Sequence, residues 1–148
     1  MMPEPRPALA ADAAAIAALD ARVNPSPWSA EAVRETLARA GGFVVAPAGA
    51  ALAGFVLFAQ AADECEILDI AVDPGARRHR LGTRLLDAAL ACARARGARR
   101  CFLEVRASNL GAQAFYRAAG FVEDGRRKDY YRGAAGREDA LLMSRELH

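Results

Sequence analysis

Hydrophobic and polar positions along the chain change period several times, and the changes mark out its elements. Residues 12–23 carry Ile16, Leu19 and Val23 on one stripe, which predicts a helix with Asp12 in its first turn. After the polar NPSPWS stretch, Ser29 is placed to cap a second helix over residues 30–40, which the glycines at 41 and 42 end. Residues 43–46 and 51–60 read as a hairpin broken by a Pro/Gly turn at 47–49, and residues 64–72 as a further strand stopped by Asp73 and Pro74. Leu81, Leu85, Leu86, Ala89, Leu90 and Ala93 then form one apolar face of a helix that runs to about residue 96, with Gly97 as its cap. A strand at 101–105, a helix at 109–119 and strands at 121–131 and 140–146 follow. With a weak first strand near 5–9, the predicted order is β-α-α-β-β-β-α-β-α-β-β, an α/β (α+β) domain spanning residues 1–148.

Composition narrows the chemistry. Hydrophobic residues make up 53% of 148, enough for a sizeable core, and a net charge of +2 calls for neither nucleic acid nor a membrane surface. The longest apolar run, residues 50–62, is too short to span a bilayer as a helix. The N-terminus lacks a basic region followed by an apolar one, and three cysteines show no paired spacing, so reduced thiols in a cytoplasmic protein are expected. Only two histidines occur, His79 and His148. A metal site built on several histidines is therefore not expected, and neither is a serine triad unless His79 serves it. A carboxylate or a relayed water remains as the general base.

Two stretches concentrate the candidate chemistry. RRHRLG, at 77–82, crowds three arginines and a histidine onto the start of a helix, whose N-terminus already carries positive partial charge. An anion resting on the exposed N–H groups would offset that cost, although a solvated basic turn explains the pattern equally well. The second stretch is CFLEVRASNLGAQAFYRAAGF, at 101–121. Glu104 alternates with Leu103 and Val105 and so leaves the core face of its strand. Asn109 and Tyr116 are seven residues apart, close to two helical turns, and share one stripe. A potential base and a potential acid thus sit on adjoining elements. Taken alone, each also fits an ordinary solvated charge or a half-buried aromatic.

The string DIAVDPGARRHRLGTRLL resembles the cofactor motif of the GNAT superfamily of N-acetyltransferases, whose pyrophosphate loop follows [QR]-x-x-G-x-[GA]. Arg77 and Gly82 match its ends, and Arg80 stands where the first glycine is expected. PWS at 27–29, LEVRASN at 103–109, FYRAAGF at 115–121, the Tyr130–Tyr131 pair and GREDALLM at 136–143 resemble one subgroup. These are the RimI-type bacterial enzymes that acetylate the N-terminal alanine of a small-subunit ribosomal protein.

The resemblance implies a mixed sheet of about seven strands, splayed at a V-shaped acetyl-CoA slot, with about four helices. It implies acetyl-CoA as cosubstrate, no metal, direct transfer to an α-amine, and a protein N-terminus as partner of a monomer or weak dimer. Glu104 would take the amine's proton and Tyr116 would protonate the departing thiolate. Ile70, Ala71 and Val72 would offer backbone groups to the acetyl and pantetheine parts. Arg77, Arg78, His79, Arg80, Leu81, Gly82 and Thr83 would hold the pyrophosphate, and Asn109 would contact the pantetheine arm. Trp28, Tyr130 and Tyr131 would shape the peptide slot. Glu64, Glu66 and Asp69 stay as alternative bases. A broader N-terminal or small-amine acetyltransferase, or a non-catalytic CoA-binding sensor, remains as an alternative function.

Overall fold

In the computed structural model, residues 2–133 and 136–148 are described, with only the backbone of Arg78 and Gly133. Seven strands and four α-helices follow in chain order: β1 (Arg6–Pro7), α1 (Ala13–Val23), α2 (Ala30–Arg39), β2 (Gly41–Val45), β3 (Gly54–Ala61), β4 (Glu64–Val72), α3 (Leu81–Ala95), β5 (Arg100–Arg106), α4 (Leu110–Ala118), β6 (Val122–Gly133) and β7 (Gly136–Glu146). Short 3₁₀ turns precede α1 at Ala10–Asp12 and α3 at Pro74–His79. The seven strands form one sheet in the order β1-β2-β3-β4-β5-β7-β6.

The apolar run that seeds β3 has no alternation because both of its faces are covered. Phe55 and Leu57 join Ile16, Leu19 and Val33 on the α1/α2 side. Val56 and Phe58 join Leu81, Leu85, Leu86 and Leu103 on the other. A strand with side chains alternating into two cores reads as continuously hydrophobic. The capping expectation at Ser29 holds: its side chain accepts from the Ala32 N–H at 3.1 Å. Gly97 and Gly120 both take positive φ, 95° and 93°, just beyond their helices.

Several boundaries differ from the sequence reading. Residues 51–53 are not strand, and they connect through the Ala53 N–H to Val45 O at 2.9 Å. The glycine pair at 41–42 opens β2 instead of merely ending α2. A Cβ on Gly42 would lie 2.9 Å from Val56 O and 3.0 Å from Leu37 Cδ2, so the strand and helix approach too closely for a side chain. The weak first strand shrinks to two residues. β7 starts at Gly136, four residues earlier than its apolar pattern, because pairing with β6 carries polar residues into the ladder.

The feature that makes the site is the junction of β4 and β5. These strands are parallel, and they pair only from Glu64, Cys65 and Glu66 to Arg100, Cys101 and Phe102. Beyond Glu66 they separate, while β4 stays paired to β3 as far as Val72. The sheet therefore opens into a V whose β4 edge carries backbone groups with no β5 partner.

Candidate active site

A cleft of about 630 Å³ occupies the opening of the V. Its walls come from four places: the segment after α1 (Asn24, Pro25, Ser26, Trp28), β4 (residues 67–70), the end of β5 with the start of α4, and β6 (residues 130–132). Glu104, Asn109 and Tyr116 all line it, so the structure brings together the three residues singled out on adjoining elements. Trp28, Tyr130, Tyr131 and Ile70 line it as well. Ala71 and Val72 do not. The Ala71 side chain is buried in the α1/α2 core, so only its backbone is available to a ligand.

Glu104 is one-fifth exposed and pairs with Arg127 Nη2 at 3.5 Å across the sheet, which leaves it a partly solvated carboxylate. Tyr116 is only 7% exposed and packs edge-on against Phe115 and Phe121. Burial is the main reason its hydroxyl pKa is pushed well above the usual tyrosine value, with Asp69 and Cys101 adding to the effect. Tyr116 is thus a neutral proton donor throughout the physiological range. Asn109 caps α4, and its Oδ1 accepts from the Ala112 N–H at 3.1 Å, which leaves its Nδ2 and one Oδ1 lone pair for a ligand.

The basic loop is not an irregular loop, and it lies outside the cleft lining. Pro74–His79 form a 3₁₀ turn capped by Asp73, whose carboxylate accepts from the Gly75 N–H at 2.8 Å. Arg80 then sits in the left-handed region, φ 54° and ψ 32°, as the N-cap of α3. This is the conformation that a glycine adopts without penalty, and here an arginine holds it. The N–H groups of Leu81, Gly82 and Thr83 form the first turn of α3 and have no partner within the helix. They could receive a phosphate, with Arg77, His79 and Arg80 alongside. Gly82 is needed for packing: a Cβ there would press on the Phe115 ring at 3.3 Å. The side chain of Arg78 lies outside the described residues.

Sequence reasoning missed four residues. Arg106 ties the two sides of the cleft mouth together. Its guanidinium donates to Ser26 Oγ at 3.0 Å, to the Arg132 carbonyl at 3.0 Å and to Glu138 Oε2 at 3.3 Å, and it stacks over Tyr131 at 4.4 Å. Glu138 also accepts from the Ser108 N–H at 3.0 Å, and these contacts hold its pKa below the usual range. Asp20 and Asn24 form the other unpredicted cluster, with Asp69. The signal for Arg106 and Glu138 lay inside LEVRASN and GREDALLM, as polar residues within apolar frames. Asp20 had a fainter one, a charge two turns from the Asp12 end of a helix whose other inward positions are apolar.

Among the alternative bases, Glu66 has its pKa raised by burial and by the neighbouring Glu104 charge, with Arg127 opposing. Glu64 pairs with Arg100 at 3.3 Å, and neither it nor Glu66 is among the cleft-lining residues.

A seven-stranded sheet split between parallel β4 and β5, with Glu104 and Tyr116 both lining the cleft at the split, defines an acyl-transferase type of fold. The Acetyltransferase (GNAT) family profile matches residues 13–121, and the chain belongs to that family. It is 41% identical over 93 residues to the [ribosomal protein bS18]-alanine N-acetyltransferase of Escherichia coli K12, a match that covers 63% of each protein. The crystal structure of the ribosomal-protein-S18-alanine N-acetyltransferase from Escherichia coli superposes with a TM-score of 0.86 at 33% identity, over 99% of this chain and 94% of that one. That of Ard1 from Thermoplasma volcanium gives 0.88 at 25% identity, over 97% of each.

Proposed function

We propose that the chain, acting as one domain over residues 1–148, transfers the acetyl group of acetyl-CoA directly to the α-amine of a protein N-terminus. The preferred substrate is the N-terminal alanine of a small-subunit ribosomal protein, encountered in the cytoplasm. The observation that carries this reading is the convergence of Glu104 and Tyr116 on one cleft at the split of the sheet. The names of the relatives at 41% and 33% identity support the choice of substrate.

Acetyl-CoA supplies a thioester carbonyl and a thiolate leaving group. The residues present suit it. The unpaired β4 edge at residues 67–72 offers backbone hydrogen bonds to an extended arm. The N-terminus of α3, flanked by Arg77 and Arg80, suits a pyrophosphate.

The roles of the side chains follow from where they stand. The amine must be neutral to attack, and Glu104 is the acceptor of its proton, through a water. A β4 N–H at the unpaired edge stabilises the negative charge that develops on the carbonyl oxygen. Tyr116, held neutral by burial, delivers a proton to sulfur as it departs. A peptide α-amine titrates near 8 and a lysine near 10.4, so at neutral pH the α-amine has a roughly hundredfold larger neutral fraction for a carboxylate-assisted attack.

The test is thiol release from acetyl-CoA with an Ala-led peptide, compared with the same peptide blocked at its N-terminus and bearing an internal lysine. Only the free α-amine should react, and equal rates would sink the proposal. Tyr116→Phe should lower kcat by roughly a hundredfold with CoA affinity kept. Unchanged kcat would remove Tyr116 from the mechanism. Binding of acetyl-CoA without turnover on any N-terminal peptide would mark the chain as a CoA-binding protein only.

A further inference from the structure

The cleft wall beside Tyr116 contains a buried pair of carboxyl groups that the proposed reaction leaves unused. Asp20, on the inner face of α1, is fully buried. Its Oδ2 accepts from the Trp28 N–H at 2.8 Å, and its Oδ1 accepts from Asn24 Nδ2. The same Asn24 amide donates to Asp69 Oδ1 at 3.0 Å. Asp69 Oδ2 is buried and has no donor in reach. Two carboxylates this close, one with an orphaned buried oxygen, are not stable as two anions. One proton placed on Asp69 and donated to Asp20 removes the repulsion and satisfies the orphan. The Asp69 pKa agrees: burial first, then the adjoining Asp20, push it up to about 8.

We propose that Asp20 and Asp69 form a clasp that shares one proton and fastens the segment from Asn24 to Trp28 onto β4, which makes them positioning residues for the amine side of the cleft. The proposal rests on the acetyl-transfer reading only for what enters the cleft. The clasp itself is a matter of structure. Four of the cleft-lining residues, Asn24, Pro25, Ser26 and Trp28, belong to that segment. The clasp adds a polar tie from the end of α1 to β4, beside the apolar contacts that Leu19 and Val23 share with Leu68 and Ala71.

The other elements packed around the pair leave the proton few competitors. β3 has no titratable residue, and its Leu57 stands opposite Asp69. The α1 neighbours Ile16, Ala17, Leu19 and Val23 are apolar. From α4, Tyr116 faces the pair and is neutral at physiological pH. Loss of the shared proton above about pH 8 puts two adjacent negative charges in a buried site, and the segment must move to separate or hydrate them.

Trp28 is the only tryptophan, so its fluorescence reports the position of the segment directly. Asp69→Asn replaces the carboxyl O–H by an amide N–H that can donate to Asp20 at any pH. In the wild-type chain, Trp28 emission should shift between pH 6.5 and 9.5 with a midpoint near 8. In Asp69→Asn it should stay constant over that range. The infrared band of a protonated carboxyl should be present at pH 7 in the wild type and absent in Asp69→Asn. With an Ala-led peptide, the wild-type KM should rise at least fivefold from pH 7 to pH 9, whereas the KM of Asp69→Asn should change less than twofold over the same range. A flat wild-type emission curve, the same transition in Asp69→Asn, or no protonated-carboxyl band at pH 7 would each overturn the clasp. A hundredfold loss of kcat in Asp69→Asn at pH 7, with KM unchanged, would also overturn it by making Asp69 the catalytic base. If no peptide is turned over, the acetyl-transfer reading fails, while the optical and infrared measurements still decide the clasp.

Discussion

Arg80 shows how one residue can keep a backbone role while losing the side chain usually suited to it. A left-handed arginine costs about 1–2 kcal/mol relative to a right-handed one, and its neighbours in the 3₁₀ turn and α3 hold it there. Arg80→Gly should therefore stabilise the fold by about 1 kcal/mol in chemical denaturation, less the greater freedom that glycine has in the unfolded chain. If the guanidinium contacts the pyrophosphate, CoA affinity in Arg80→Gly should fall several-fold and become less salt-dependent. Unchanged affinity would confine Arg80 to its backbone N–H. The proposed role of Glu104 as proton acceptor allows a different test, since that task would disappear once the amine is already neutral. Glu104→Gln should lower kcat/KM by roughly a hundredfold at pH 7. The deficit should shrink above pH 8, where solution has removed the amine's proton. A deficit independent of pH would point to lost packing or to the lost Arg127 pairing at 3.5 Å.

At the scale of elements, the proposed pyrophosphate site depends on how closely α3 sits on the sheet. The first helical turn is brought to the end of β4 because Gly54 and Gly82 have no side chains. A Cβ on Gly54 would lie 2.9 Å from Leu85 Cδ1 and 3.1 Å from the Ala71 carbonyl oxygen. Neither neighbour can retreat, since Leu85 is fully buried and Ala71 is fixed by its pairing with Phe55. Gly54→Val should cost roughly 2–3 kcal/mol of stability, read from the denaturation midpoint, and should weaken CoA binding by shifting α3. The two charged hairpin strands are held differently. β6 carries two register shifts, and Asp129 takes a positive φ of 52° with its N–H bonded to Asp139 Oδ1 at 3.1 Å. That irregularity turns Tyr130 and Tyr131 toward the cleft, where Arg127 and Arg106 stack on their rings.

For the whole molecule, the buried carboxyl pair ties stability to pH. Asp69 in the folded chain keeps its proton up to about pH 8, whereas in the unfolded chain it loses it near 3.8. Between those values the folded state binds the extra proton, so the contribution of this group is greatest below pH 4 and is lost as pH rises to about 8. Asp69→Asn has no such dependence. Its melting temperature should match that of the wild type at pH 4 and exceed it by roughly several degrees at pH 8. Identical pH dependence in the two proteins would show that Asp69 holds no proton in the folded state. The whole molecule also explains why Asp20, at the far end of the sequence from Tyr116, belongs to the same cleft. The sheet order places β4 at the centre, with α1 covering one side and the split facing β5 on the other.

What the pattern of the sequence by itself determined was the order of elements and three of the cleft's residues, while the family resemblance added Trp28, Ile70, Tyr130 and Tyr131. The order and the first three residues depend on periodicity and on near neighbours in the chain. Glu104 follows from strand alternation, and Asn109 and Tyr116 from seven-residue spacing on one helix. Folding alone decided the rest. The split of β4 from β5, expected from the family resemblance, has its position set by folding: pairing stops at Glu66 and Phe102, and no local pattern marks that point. The left-handed turn at Arg80 contradicts that residue's own preference and is imposed by the elements on either side. Asp20, Asn24, Asp69 and Arg106 acquire their roles from partners 45, 80 or more positions away or on another element. Their charges matter because tertiary packing removes water around them, and the sequence records the charges but not the burial.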